Sequence, residues 1–477
     1  MCFRWEARRA QRSSPLNSMS EQGSNQPADI QPILKRRFEA LAGYARDPKI
    51  VFIIDELEWY ATSDERIIGT LTFDKIDHDF GWVILGRDER LRFRAINVNV
   101  SFPTKDASRT ELFSKMAAHQ ALPDESFYQA DDPSRPTDFF TPVVDKAKLS
   151  PTFKTLVEGS KYSSALGIIK PMMRFYDDTD GNFVEQFQTT AFDARLWELY
   201  LFASFIELGY ARMPGTAVPD FIFTSPFGSL GIEATTINPP HNRESQLPDT
   251  QEQMKAYLEN LIPMKLGRAL RRKLEKRLPY WTTPEMDGLP FVLAVQDFHL
   301  TGTMRAITQA ATEYVFGVRH SIESGKIKIE RIDHHVWGKS RERSGFFSLP
   351  GSENVSAVIV NPQGTLSKFA RMGYIAGFGD RRVKIIRRGL VRGEHNEDDP
   401  RPRYFVHDVS ESGYSESWVE GMVVLHNPNA RIPLPPPLID GASHEFLQED
   451  GRLMSLFPEL HPYCSETIIL APDAEEI

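Results

Sequence analysis

Cysteine is nearly missing from this chain. Only Cys2 and Cys464 occur in 477 residues, both near the ends. That excludes a disulfide framework and a cysteine-based zinc site, and it points to a reducing compartment. Long apolar runs are missing too. None approaches the roughly 18–20 residues that a bilayer-spanning helix needs, and the N-terminus lacks the apolar core of a signal peptide. There is no excess of positive charge, the formal balance being −9, so net charge does not advertise a nucleic-acid binder. No G-x-x-x-x-G-K-[ST] loop is present to cradle a nucleotide, and no G-x-S-x-G elbow to raise a nucleophilic serine. Neither cysteine has surroundings that suggest a nucleophile, and no internal repeat is visible.

What is present describes a globular protein of more than one domain. Apolar content of 41% and charged content of 25% fit a full core, and the length predicts two or three domains. Residues 1–28, rich in Arg, Ser, Gln and Asn, read as a disordered tail. Their Arg-rich start faintly suggests an organellar transit sequence, but Glu6 and the lack of clear amphipathicity favour a cytoplasmic protein. Residues 29–145 read as an α+β accessory domain. It has a helix over 32–44, strands over 50–54, 67–73, 82–85 and 93–100, and a helix over 108–119. Residues 130–142 form a linker. Asp55, Glu56 and Glu58 lack the spacing of a metal loop and read as solvated strand-end carboxylates.

The stretch from Phe192 to Thr236 carries the chemistry. Apolar residues recur at Phe192, Leu196, Leu199, Ala203 and Ile206, a period that predicts a helix over 192–210 with one face buried. Glu198 and Glu207 lie beside that stripe, and Gly209 is placed to end the helix. Pro219-Asp220 opens a run of aromatic and β-branched residues that reads as a strand. Residues 225–229 supply a turn, and residues 230–236 alternate as a second strand. A hairpin folded near Phe227 sets Asp220 opposite Glu233 and Ala234, with Cβ atoms about 4.5–5.5 Å apart. Glu233 and Thr235 share one face of the strand. Asp220, Glu233 and the Ala234 carbonyl then offer oxygen to one Mg²⁺, a hard cation that takes oxygen ligands.

With Glu198 on the helix, Pro219-Asp220 on one strand and Glu233-Ala234-Thr235 on the next, the chain resembles the PD-(D/E)XK nuclease superfamily. The following helix and the strand over 290–297 fit the rest of that core order, and the resemblance covers roughly residues 190–300. It implies a restriction-endonuclease-like fold of α/β class, α+β overall, in which a mixed sheet is flanked by helices. It further implies Mg²⁺ or Mn²⁺ held by Asp220, Glu233 and the Ala234 carbonyl, with Glu198 joining the metal site or positioning a water. The partner it implies is nucleic acid, DNA first, and it allows a homodimer and no membrane.

One family residue is absent. The lysine expected two positions after Glu233 is Thr235, whose hydroxyl hydrogen-bonds but carries no positive charge. Either a lysine reaches the site from elsewhere, or catalysis is lost. The nearest source is the helix over 263–274, where Lys265 and Lys273 stand a little over two turns apart. Lys273 is slightly preferred.

The core with an extended sheet is expected over 146–395, and a C-terminal extension over 396–477. Within them, 304–324 reads as a helix, and 326–332, 355–360, 383–386 and 404–406 as strands. Basic stretches at 265–277, 326–343 and 381–392 are candidates to track a phosphate backbone. Asp333-His334-His335 is expected to split into one surface and one packed histidine, since adjacent strand residues face opposite ways. Residues 372–380, with three glycines, lack a phosphate-binding pattern and read as a flexible loop. Residues 433–437 read as a stiff polyproline connector.

Overall fold

The structure, a computed structural model, describes residues 30–129, 135–179, 181–216, 218–238, 248–300, 302–323, 326–391 and 402–472. The tail expected at 1–28 and the first residues of the expected linker lie outside them. The chain is mixed α and β, with several sheets, and divides into two compact units, Met1–Thr137 and Asp138–Ile477. Among the described residues no helix is long and apolar enough to cross a membrane.

The first unit is a five-stranded antiparallel meander of β1 (Ile30–Pro32), β2 (Ile54–Thr62), β3 (Ile67–Asp74), β4 (Phe80–Arg87) and β5 (Phe93–Phe102). Helix α1 (Lys35–Ala42) follows β1, and α2 (Lys105–Gln120) follows β5. The α2 side chains Leu112 and Met116 pack on Ile67, Trp82 and Ile84 of the sheet. Thr104 caps α2 by accepting from the Ala107 N–H. The strand expected at 50–54 is instead a 3₁₀ turn over Ile50–Phe52, and β2 starts only at Ile54. Asp47 is the cause: its carboxylate accepts from Lys49 N–H and its carbonyl from Ile50 N–H, which closes a turn before any strand can begin. The three acids nearby are ion-paired rather than merely solvated. Glu56 takes Arg46 at 2.9 and 2.8 Å, Glu58 takes Arg109, and Asp55 takes Lys75.

The second unit contains the helices α3 (Pro151–Val157), α4 (Ser163–Phe175), α5 (Phe183–Gln188), α6 (Phe192–Glu207), α7 (Gln251–Ala256), α8 (Ile262–Leu274), α9 (Ile307–Phe316) and α10 (Leu366–Ile375). Its central sheet is built from β6 (Ala211–Arg212), β7 (Phe221–Ser225), β8 (Gly228–Ile237) and β9 (Phe291–Asp297). Two small hairpins follow, β10 (Val318–Glu323) with β11 (Lys326–Arg331), and β12 (His334–Trp337) with β13 (Ser340–Arg343). The sheet resumes with β14 (Ala357–Val360). A separate three-stranded sheet pairs β15 (Lys384–Val391) with β16 (Arg403–Asp408) and, later in the chain, β20 (Pro462–Leu470). The C-terminal extension supplies three more strands to the central sheet, β17 (Val423–His426), β18 (Ser443–Leu447) and β19 (Leu453–Leu456). The order is β19-β18-β17-β14-β9-β8-β7-β6, with β8, β9 and β14 parallel and β6, β7 and β8 antiparallel neighbours.

Helix α6 departs from its expected one-sided pattern. Every residue from Leu196 to Phe205 is buried, because the helix is covered on more than one side. Trp197 donates to the Ala294 carbonyl of β9 at 3.2 Å, and Phe205 stacks on Phe223 of β7 with centroids 4.6 Å apart. Tyr200 reaches the Trp418 carbonyl at 2.9 Å. On the other sheet face, Leu266, Ala269, Leu270 and Leu274 of α8 pack with Ile222, Ile237, Leu293 and Val295. Gly267 lets α8 close on α9, since a Cβ there would meet the Tyr314 ring at 2.4 Å. These two packings fix the helices that carry Glu198 and Lys273.

Three further expectations are corrected. The helix over 304–324 is shorter: α9 ends at Phe316, Gly317 turns left-handed at φ 70°, and β10 begins. The segment 372–380 is not a free loop. Its first residues belong to α10, and Gly373 and Gly379 lie so close to Ser164 of α4 that a Cβ would clash at 2.0 and 2.4 Å. The stretch 433–437 is packed, with Leu434 and Leu438 buried and the Leu438 carbonyl accepting from Tyr210.

Candidate functional site

Strand β7 pairs with β8 from Phe221↔Ile232 to Ser225↔Gly228, leaving Pro226-Phe227 as the loop. Asp220 therefore stands just before β7, level with Glu233. Pairing stops at Ile232 while β8 runs on to Ile237, so residues 233–237 have no strand partner on that edge among the described residues. Asp220 takes the vacant place: its Oδ2 accepts from the Ala234 N–H at 2.8 Å. The N–H and C=O of one strand residue project to the same edge, so the Ala234 carbonyl faces Asp220 as well. In return the Asp220 N–H donates to Glu233 Oε2 at 3.2 Å.

Lys273 reaches this point from α8. Its Nζ lies 2.5 Å from Glu233 Oε1, and it lines, together with Thr235, Asp220 and Glu198, a cavity of about 260 Å³. Thr235 and Glu233 point toward the α8 face of β8, which is where Lys273 arrives. Of the two lysines, Lys273 joins the acids and Lys265 does not. Lys265 lines a separate cleft with Asn238 and Arg268.

Glu198 approaches from α6 on the opposite sheet face and also borders the cavity. Its carboxylate is already held, by Arg195 Nη1 at 2.9 and 2.8 Å and by the Tyr176 hydroxyl at 3.1 Å. Arg195 in turn bonds Gln186 of α5. Sequence reasoning missed Arg195, although it lies three residues before Glu198 on one helix, a spacing that brings side chains together. It also missed Tyr280, whose hydroxyl is held protonated by burial first and by the Glu233 charge second. No local pattern announces Tyr280.

The electrostatics are those of a crowded acidic pocket. Burial first, then the charges of Glu233 and Glu198, push the Asp220 carboxyl well above the ordinary carboxylate range, against the pull of Lys273 and the Ala234 N–H. Burial also raises Glu198, opposed by Arg195 and Tyr176. Among the described residues no three His, Cys, Asp or Glu side chains gather as a ready-made metal cage. Two carboxylates and a carbonyl still suit Mg²⁺, which keeps several waters and is commonly bound through one or two carboxylates. The repulsion from Glu233 and Glu198, which adds to burial in raising Asp220, is what a cation would relieve.

The adjacent histidines separate as expected. His334 is exposed, while His335 is buried between the Glu259 carbonyl at 2.9 Å and Ser344 Oγ at 3.1 Å. Both ring nitrogens of His335 are thus engaged within the protein.

No family model matches the chain, and no curated protein and no solved structure matches it.

Proposed function

We propose that residues 190–300 form a divergent PD-(D/E)XK, restriction-endonuclease-like core, and that the protein hydrolyses phosphodiester bonds in nucleic acid, DNA first, with Mg²⁺ or Mn²⁺. The observation that carries this reading is the Lys273 ammonium 2.5 Å from Glu233. It brings to the hairpin acids the positive charge that Thr235 lacks. The order α6, β7, β8, α8, β9 supports the same reading.

Asp220, Glu233 and the Ala234 carbonyl would hold the ion. When bound, the ion polarises the scissile phosphate and lowers the pKa of its water. Lys273 orients the attacking water and offsets phosphate charge. Arg195 and Tyr176 hold Glu198 in place beside Asp220, which makes Glu198 a positioning residue.

A second reading is favoured by one observation. Both Glu233 oxygens already have protein donors, Lys273 and the Asp220 N–H. A closed ion pair of this kind suits a nuclease fold that has lost catalysis and acts in nucleic-acid binding or regulation. A cleavage assay separates the two. Purified protein is incubated with single-stranded and duplex DNA and with RNA, in Mg²⁺ or Mn²⁺, alongside Asp220→Asn, Glu233→Gln and Lys273→Ala. Cleavage by wild type that all three substitutions abolish supports the nuclease. No cleavage of any substrate, with no metal binding by calorimetry, sinks the nuclease, and DNA binding that survives loss of the acids then favours the second reading over acids that merely pair at a hairpin.

A further inference from the structure

A second cavity opens next to the first. It is a cleft of about 660 Å³ between the end of β8, at Thr236 and Ile237, and the α8 residues Lys265, Arg268, Arg271 and Arg272, with Glu275 just past the helix. Thr236 lines both cavities, so the cleft begins where the acidic pocket ends. Four cations face one acid across it.

The cations differ in how far they are already neutralised. Arg271 is 2.7 Å from the buried carboxylate of Glu342, and Arg268 is 3.9 Å from it. Lys265 and Arg272 form no ion pair among the described residues, although the charge of the buried Asp297 still acts on Lys265. Lys265 is half-buried and Arg272 exposed. Seven residues apart on a helix, they share one stripe and are separated by about 10 Å of rise. A nucleic-acid strand carries a phosphate every 3.4 Å or so along its axis, so that stripe spans about three nucleotides. Two cations spaced in this way along one helix, neither in an ion pair among the described residues, suit a polyanion better than a single phosphate.

We propose that this cleft seats the phosphate backbone of the strand being cut, with Lys265 and Arg272 contacting phosphates about one to three nucleotides from the one held at Asp220 and Glu233. The proposal rests on the nuclease reading for the identity of that strand, and it gives Lys265 a binding role in place of a catalytic one. Arg268 and Arg271, tied to Glu342, form the rigid wall of the cleft.

The test needs no turnover. A short fluorescein-labelled oligonucleotide is titrated in EDTA with wild type, Lys265→Ala/Arg272→Ala and Arg272→Glu, and anisotropy is read over a range of salt. The slope of log K against log salt should be shallower in the double variant by about 1.4–1.8, two contacts at roughly 0.7–0.9 each, with weaker binding at low salt. Arg272→Glu, an exposed substitution that leaves the fold intact, should weaken binding in the same direction and carries the test if the double variant does not fold. Equal slopes in wild type and variants overturn the proposal. An affinity loss as large for inorganic phosphate or a mononucleotide as for the oligonucleotide overturns the polymer assignment. A slope change without any cleavage supports the cleft and counts against the nuclease. Unchanged slopes with cleavage retained do the reverse.

Discussion

Lys273 and Glu233 meet at 2.5 Å although 40 residues separate them in the chain. One comes from helix α8 and the other from strand β8, and only the packing of that helix on that sheet face joins them. Replacing Lys273 by Met should therefore act twice. It strands a buried carboxylate, which we expect to cost about 2 kcal/mol in urea unfolding, less than the 3–5 of a fully buried pair because Lys273 is partly exposed. It should also lower cleavage by about 10²-fold or more. A lysine restored on the strand, in Thr235→Lys/Lys273→Met, should recover part of the activity. No recovery, with the fold intact by circular dichroism, would count against a shared role for the two positions.

Asp220 should make the protein less stable as pH rises. Its folded pKa lies above the ordinary 3.8, so between those values the folded state holds more protons than the unfolded one. The stability this gives is present below about pH 4 and is lost as pH climbs through the raised pKa. In metal-free buffer Asp220→Asn should melt roughly 2 °C or more above wild type at pH 7 to 8, and the gap should close toward pH 4. Adding Mg²⁺ should raise the melting temperature of wild type and leave Asp220→Asn unmoved. Thermal melts across pH, with and without the ion, check both signs.

The Arg195–Glu198 pair predicts an asymmetry. Arg195→Ala leaves Glu198 buried without its cation and should cost about 3–5 kcal/mol. Glu198→Gln retains a partner for Tyr176 and should cost less. If Glu198 acts by position, Glu198→Gln should weaken Mg²⁺ binding less than Asp220→Asn does in isothermal calorimetry. Equal losses would make Glu198 a direct ligand.

Outside the acidic pocket, Glu416 sits fully buried among Lys368 at 2.6 Å, Arg371 at 2.8 Å and Arg387 at 3.5 Å. Those cations hold its carboxyl well below the ordinary range despite burial. Glu416→Gln should destabilise by about 3–5 kcal/mol, because it leaves Lys368, Arg371 and Arg387 with Glu420, an ion-pair partner of Arg387, as the remaining carboxylate of the cluster. Glu466→Gln, which removes an exposed partner of Arg388, should leave the urea midpoint unchanged within error. A small effect at Glu416 would mean that water compensates the cluster.

Much of the hairpin is legible in sequence, because a period of two and turn chemistry at Pro226-Phe227 fix which residues face each other. Those features set Asp220 against Glu233 and Ala234 to within one residue, and the observed register is Phe221↔Ile232. Boundaries fail where a short-range bond overrides pattern, as at Asp47 and Gly317. The full burial of α6 is invisible locally, since its second cover, near Trp418, comes from more than 200 residues later in the chain. The same holds for Lys273. Helical spacing offers both Lys265 and Lys273 with only a slight preference for Lys273, and the α8–β8 packing decides between them. Gly373 and Gly379 mislead for a related reason: their lack of side chain serves a close approach to α4, not mobility.

The place where β8 runs past β7 has a second consequence. A bare strand edge invites another chain to add to it, and here the Ala234 N–H is already taken by the Asp220 side chain. That carboxylate thus works as a stopper against intermolecular strand addition, quite apart from any ion. Asp220→Ala would pull the stopper, and its preparations should aggregate faster than those of Asp220→Asn, whose amide oxygen still accepts the bond. Loss of activity in the alanine variant would then mix lost chemistry with lost monomer, which makes asparagine the cleaner substitution at this position.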